Sequence, residues 1–222
     1  MGVTVGPVQP LTGRPKLWVR LLIVLIIGGF GTYLFSRGRL LEDGHVRVYL
    51  WTLIAYIFAE RFAYRGDEAG ATPAYMWTRI LLGVLWIALI FAPVIEYSLF
   101  RRTNDTVIAV GFALTAAGVG VRVWGIRTLG KFFSGHVASW TDHTIVNTGP
   151  YRVIRHPAYA GNILMTVGLP LLLNAYLSLF VSAALIGAFV TRLVLEERFL
   201  ARTLSGYTDY MKRTKRIVPW VW

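Results

Sequence analysis

Apolar runs of membrane-crossing length alternate with short polar, cationic segments along most of the 222-residue chain. The first runs from Trp18 to Phe35, the second from Val46 to Ala63, the third from Tyr75 to Phe100 and the fourth from Thr106 to Trp124. Two more, Ala158 to Leu173 and Ala175 to Thr191, are separated by little more than Asn174 and read as a tight helical hairpin. Runs of about 17–25 residues suit the hydrocarbon core of a bilayer, where backbone groups must be satisfied within the segment. The pattern therefore predicts an all-α, multi-pass integral membrane bundle of about six spans.

Individual runs differ in strength. Arg47, Glu60 and Arg61 crowd the second, which is the weakest and is tilted or partly interfacial if it spans at all. Pro93 predicts a kink in the third. The fourth holds Gly111, Ala113, Ala116, Ala117, Gly118 and Gly120, small residues that let backbones approach closely in lipid, so it belongs at the centre of the bundle. Residues 1–13 lack periodicity and read as a frayed tail. Arg14 and Lys16 before the first run, with no small-x-small cleavage site after it, predict a retained signal anchor rather than a cleaved leader.

Composition removes several classes of function. A hydrophobic content of 55%, a charged content of 15% and a mean hydropathy of +0.55 exclude an ordinary soluble globule. The net charge of +12 does not form one soluble basic face, so no nucleic-acid partner is expected and membrane lipids are. Lys and Arg instead lie at the ends of apolar runs: eighteen of the 23 fall on the side of the termini, against Arg37, Arg39, Arg47, Arg101 and Arg102 on the other. That bias predicts both termini in the cytoplasm. It also places the polar segment Gly125–Arg155 and the tail from Arg192 on one cytoplasmic side, where they can assemble into one site. With no cysteine and four scattered histidines, neither a disulfide, a thiol nucleophile nor a metal site is expected.

Chemistry concentrates in residues 149–162, which are polar, cationic and aromatic between apolar regions. Two prolines and two glycines predict a fixed non-helical path and a helix that starts at Pro157, where proline loses no bond. Tyr151, Arg155, His156 and Tyr159 therefore gather at a helix N-terminus, a place that attracts anions. A basic loop meeting lipid phosphates accounts for the same residues. At the end of the last helix, Arg192 and Glu196 are four apart and can pair on one face. Glu197 is rotated about 100° away and faces elsewhere, toward a ligand or toward Arg198, Arg202 or Arg155. His156 can equally be a buried, hydrogen-bonded imidazole, and Gly118-x-Gly120 is explained by helix packing alone.

The order and spacing of these residues resemble one family. Leu129-Gly130-Lys131-Phe132-Phe133-Ser134 is followed by Val146-x-Thr148-Gly149-Pro150-Tyr151-Arg152, by Arg155-His156-Pro157-x-Tyr159-x-Gly161, by Arg192-x-x-x-Glu196-Glu197-Arg198 and by Gly206-Tyr207-x-x-Tyr210. This run resembles the isoprenylcysteine carboxyl methyltransferase and phospholipid methyltransferase superfamily over residues 106–219, and the first three spans carry none of it. The resemblance implies an S-adenosylmethionine-dependent membrane methyltransferase acting on a lipophilic or lipid acceptor, with a cytoplasmic cofactor site formed by the loop between spans four and five and the C-terminal tail. It implies a methyltransferase core at 106–222, with 1–105 as N-terminal membrane spans toward the substrate. Carried over residue by residue, Gly149, Tyr151, His156, Tyr159, Glu196 and Glu197 would contact the cofactor, and Gly118 and Gly120 lie where phospholipid enzymes have a contacting glycine pair. Arg155, His156 and Arg192 are the candidates for catalytic groups, the arginines orienting an acidic acceptor. Arginines favour a carboxylate acceptor, which is already ionised, over an amine, which must first lose a proton. The alternatives are a phospholipid amine N-methyltransferase, an NADPH-dependent sterol reductase-like enzyme and a non-catalytic lipid-binding protein.

Overall fold

The structure is a computed structural model that describes residues 29–33, 36, 39–63, 75–133 and 144–222. Its helices are α1 (Gly44–Ala63), α2 (Met76–Phe100), α3 (Asp105–Leu129), α4 (Pro157–Leu171), α5 (Ser178–Thr203) and the short α6 (Tyr207–Arg213). No strand occurs among the described residues, only one isolated parallel bridge between Ile154 and Lys215. Most of the first apolar run, Trp18 to Phe35, and the tail at 1–13 lie outside the described residues. Residues 29–33 are helical, and the Phe30 ring sits 4.1 Å from that of Phe91 on α2.

Helix boundaries follow local chemistry. Asn104 starts α3, its side chain accepting from the N–H groups of Thr106 and Val107 at 3.1 and 3.2 Å. Pro93 lies inside α2 and has no N–H for the Leu89 carbonyl. The Tyr49 hydroxyl of α1 reaches that carbonyl at 3.3 Å and the Ile90 carbonyl at 3.0 Å. The N-terminus of α5 lacks a side-chain cap of its own. Buried Glu96 of α2 replaces it, accepting from Leu177 N, Ser178 N and Ser178 Oγ at 3.0, 2.8 and 2.8 Å.

The closest packing joins α3 and α4, which run antiparallel. Gly111, Gly118 and Gly125 recur every seven residues on α3 and face α4. A Cβ on Gly118 would stand 2.6 Å from the Gly161 carbonyl, and one on Gly111 would stand 2.8 Å from Leu172 N. Glycine is required because backbone meets backbone. The small residues of the fourth apolar run thus serve a close contact with one neighbour, but the expected place at the centre of the bundle is not observed: 17% of its apolar stretch is buried, against 33% for those of α2 and α5. A second core, with Leu53, Leu89, Leu169, Leu185 and Phe189, joins α1, α2, α4 and α5. Large apolar residues outside it, such as Trp51, Phe58, Phe62 and Phe180, are exposed on the exterior, as expected where the solvent is lipid.

The expectation of about six spans is met in part. Among the described residues three helices are long and apolar enough to cross a bilayer: Trp77–Phe100, Asp105–Phe132 and Ser178–Thr203. Arg47, Glu60 and Arg61 keep α1 from qualifying. The 15 residues of α4 reach about 22 Å, short of the roughly 30 Å hydrocarbon core. Pro170 and the left-handed Asn174, with φ 50°, turn the chain back before α4 completes a crossing.

Candidate active site

Helix directions bring the start of α2, the end of α3, the start of α4 and the end of α5 to one end of the bundle, where Arg192 Nη1 donates to Thr78 Oγ1 at 2.8 Å. The segment before α4 is shaped by backbone chemistry. Gly149 adopts φ 54°, which favours glycine, and packs its Cα against Thr128 and Trp124. Pro150 then begins a short 3-10 turn whose carbonyl accepts from Val153 N and Ile154 N. Arg155 N donates to Lys215 O at 2.7 Å and His156 N to Arg216 O at 3.0 Å, while Lys215 N returns a bond to Val153 O at 3.1 Å. The Tyr210 hydroxyl donates to Tyr151 O at 2.7 Å. The C-terminal tail is therefore laced by its backbone to the segment that precedes Pro157.

The two adjacent glutamates do different work. Glu197 is buried and accepts at Oε1 from Arg155 Nε at 2.7 Å and at Oε2 from Arg216 Nε at 2.9 Å, with His156 Nε2 at 3.3 Å from Oε1. Arg155 also donates through Nη1 to Met211 O at 3.0 Å and to Thr214 O. The expected separation of Glu196 and Glu197 onto different faces is observed, and the pairing of Glu197 with Arg155 is the arrangement present. Glu196 instead accepts from the Tyr159 hydroxyl at 2.7 Å, and that same hydroxyl accepts from Arg192 Nε at 2.9 Å.

Glu196, Tyr159 and Arg192 line a cavity of about 280 Å³ together with Tyr151, Arg155 and His156. Gly118, Gly120, Gly149 and Glu197 lie outside its lining. Gly118 packs against α4, and a side chain at Gly120 would meet open space. Burial raises the Tyr151 and Tyr207 phenols, and nearby Glu196 pushes the same way; burial lifts Tyr210 to about 12. All three are neutral hydroxyls at physiological pH. Both Tyr207 and Tyr210 also line the cavity.

Several lining residues were not singled out from the sequence. Arg122 of α3 pairs through Nη2 with Glu60 of α1 and approaches the Ala158 carbonyl at 3.4 Å. Its Nε is buried without a hydrogen-bond partner among the described residues. The signal was a single charged residue within the apolar run Thr106 to Trp124, and an ionisable group inside a membrane segment marks function by default. Arg79, Leu82 and Trp86 of α2 complete the wall, so the region before residue 105 contributes directly to the cavity. Among the described residues no three His, Cys, Asp or Glu side chains form a metal-binding group.

The apolar bundle thus holds a cavity with charged and aromatic walls near one end of its helices, and several known membrane proteins resemble the chain. Residues 109–202 match the model of the isoprenylcysteine carboxyl methyltransferase (ICMT) family. The cobalt-zinc-cadmium resistance protein CzcN of Cupriavidus metallidurans is 32% identical over 111 residues, 48% of this chain and 49% of that protein. The protein-S-isoprenylcysteine O-methyltransferase of Saccharomyces cerevisiae is 31% identical over 116 residues, 50% of this chain and 48% of that protein. The matched stretch thus spans about half the length of these curated relatives. A solved structure of the eukaryotic intramembrane Ras methyltransferase ICMT superposes with a TM-score of 0.58 at 18% identity, covering 93% of this chain and 87% of that one. At that identity the likeness is one of fold. Family model, relatives and fold together support the isoprenylcysteine carboxyl methyltransferase superfamily, the resemblance read from residues 106–219.

Proposed function

We propose that this chain is an S-adenosylmethionine-dependent membrane methyltransferase that esterifies the carboxylate of a lipophilic acceptor of the isoprenylcysteine type. The observation that carries the reading is the cavity wall, in which Arg79, Arg122 and Arg192 surround the Tyr159–Glu196 pair at the end of a lipid-facing bundle. Cations of that number suit an anionic acceptor better than an amine headgroup. The cavity is reached by residues of both 1–105, toward the substrate, and 106–222, the methyltransferase core. Its polar end is the cytoplasmic one, with both termini on that side, as the distribution of Lys and Arg supports.

The residues present fit the cofactor. Glu196 is an anionic acceptor for an ammonium group, and Tyr151, Tyr207 and Tyr210 offer neutral hydroxyls and aromatic faces for an adenosine. When bound, S-adenosylmethionine supplies an electrophilic methyl group on a sulfonium. The chain's own work is to hold and align the partners and to exclude water. Arg192, held by Thr78 and Tyr159, and Arg122, held by Glu60, orient the acceptor carboxylate. That carboxylate is ionised at neutral pH and needs no general base. His156 and Arg155, joined to Glu197, keep the loop and the tail in register beside the cavity. Gly118 and Gly149 act through packing rather than by touching the cofactor, and Gly120 does neither.

Calorimetry of the detergent-purified protein tests the reading, with S-adenosylmethionine, S-adenosylhomocysteine and NADPH as ligands. Micromolar binding of the adenosyl ligands, followed by methyl transfer to N-acetyl-S-farnesylcysteine, is expected. Binding of NADPH and of neither adenosyl ligand would replace it with the reductase reading.

A further inference from the structure

From Arg198 to Trp222 the chain carries six Lys and Arg against one acid, Asp209. Arg213 and Lys215 are exposed, and Asp209 is engaged by Lys212 at 2.8 Å. Directly after them, residues 217–222 form a tight turn: Ile217 N and Val218 N donate to Trp222 O at 2.9 Å, and Val221 N donates to Val218 O at 3.2 Å. Buried Ile217 anchors the turn, while Trp220 is 86% and Val221 74% exposed. Trp220 is held at φ 62°, an outlier for so bulky a side chain. The turn thus accepts backbone strain and still presents its largest apolar ring outward, beside exposed cations.

Two backbone contacts fix where this surface stands. Lys215 N donates to Val153 O at 3.1 Å and His156 N to Arg216 O at 3.0 Å, so the stretch before the turn lies beside the residues that precede Pro157, the first of α4. That is the level at which the helices leave the bilayer, where Trp and cationic side chains gather. Arg213 and Lys215 do not suit hydrocarbon, and Trp220 with Val221 does not suit water; a layer of anionic headgroups accommodates both. Arg216 then connects the surface to the buried carboxylate of Glu197. Its guanidinium stands 5.0 Å from the centre of the Trp222 ring, and its Nε donates to Glu197 Oε2 at 2.9 Å. Tyr207 and Tyr210, carried on the same tail in α6, line the cavity.

We propose that residues 213–222 form a docking surface for anionic phospholipid headgroups, and that lipid bound there holds the tail closed on Glu197 and so tightens the cofactor site. The placement of the surface is independent of the function proposed above; only its coupling to the cofactor rests on that reading. A lipid that favours the closed tail raises cofactor affinity, and by linkage the cofactor raises lipid affinity by the same factor. Recognition of this kind weakens as salt screens the charges.

The chain has no cysteine, so Val221→Cys takes a single bimane label. The labelled full chain is placed in nanodiscs of acyl-brominated phosphatidylcholine, with and without phosphatidylglycerol. Bromine quenching of the label should be strong with phosphatidylglycerol, and weak without it or when Arg213→Gln and Lys215→Gln are added. Unlabelled wild type should bind S-adenosylhomocysteine about fivefold more tightly in the phosphatidylglycerol discs, a gain that the double variant and high salt both abolish. No quenching in either disc would leave the turn in water, and equal quenching in both would make it an apolar contact blind to charge; either result overturns the assignment. Equal S-adenosylhomocysteine affinity in the two discs overturns the coupling. If soluble glycerol 3-phosphate reproduces the gain in phosphatidylcholine discs, the surface takes a free phosphate rather than a membrane, and the assignment falls. Should the double variant not fold, the wild-type comparison between discs decides alone. Should no adenosyl ligand bind in any disc, the methyltransferase reading is lost, while the quenching still decides the surface.

Discussion

Arg155 and Glu197 stand 42 positions apart and meet as a buried ion pair, Nε to Oε1 at 2.7 Å, with 7% and 3% of their side chains exposed. Because Arg216 and His156 close on the same carboxylate, the pair joins the segment before α4, the last long helix and the C-terminal tail. A motif spread over three stretches of sequence is thus one structural knot at the wall of the cavity.

Removing one partner of that knot leaves buried charge uncompensated. Glu197→Ala should destabilise the protein by about 3–5 kcal/mol, seen as a clear fall in thermal midpoint in detergent. A midpoint equal to wild type, with S-adenosylhomocysteine affinity lost, would return Glu197 to a direct ligand role.

Glu196 should behave in the opposite way. Its carboxylate lines the cavity and is tied to Tyr159, so Glu196→Gln should fold with a midpoint near wild type. Its affinity for S-adenosylhomocysteine should fall about tenfold, the scale of one lost charge-assisted hydrogen bond of about 1.4 kcal/mol. Unchanged affinity by calorimetry would remove Glu196 from the cofactor site.

The glycines of α3 separate packing from ligand contact. At Gly118 a Cβ would stand 2.6 Å from both the Gly161 carbonyl and Met165 Cγ, whereas at Gly120 it meets nothing within 4 Å. Gly118→Ala should cost about 1–3 kcal/mol through overpacking. Gly120→Ala should be neutral or slightly stabilising, by up to about 1 kcal/mol, through helix propensity. Thermal midpoints of the two variants, compared side by side, check this; a Gly120→Ala enzyme that cannot bind S-adenosylhomocysteine would restore its cofactor role.

Glu60 should act on turnover through Arg122. Their pair holds the guanidinium in the wall while Nε stays unpaired. Glu60→Gln should raise KM for N-acetyl-S-farnesylcysteine several-fold and leave S-adenosylhomocysteine binding alone. An unchanged KM would leave the pair as a link between α1 and α3 and no more.

Much of the fold is legible in the pattern of residues. Apolar length and the placement of Lys and Arg identify a membrane bundle, Pro157 starts α4, and small residues mark the close contact that α3 makes, though not with how many neighbours. The span count is less legible, because hydropathy measures how apolar a run is and not where the chain turns: the turn through Asn174 shortens α4 to 15 residues. Within the site, Tyr151, His156, Tyr159, Arg155, Arg192 and Glu196 do gather at one cavity, as their shared pattern suggested. The pairing of Arg122 with Glu60 was not legible, because the two residues lie 62 positions apart on different helices and only their packing brings them together.

The sequence by itself determined the membrane class, the helical bundle and the stretches that carry its chemistry, since these follow from local hydrophobicity, proline and glycine placement and motif order. It also determined that Glu196 and Glu197 face different ways, because the helix period is local. Only the tertiary structure decided which of them meets the cavity. That choice depends on how α5 is rotated against α2 and α4, and the rotation is set by long-range bonds from Arg192 to Thr78 and Tyr159 and from Glu197 to Arg155 and Arg216.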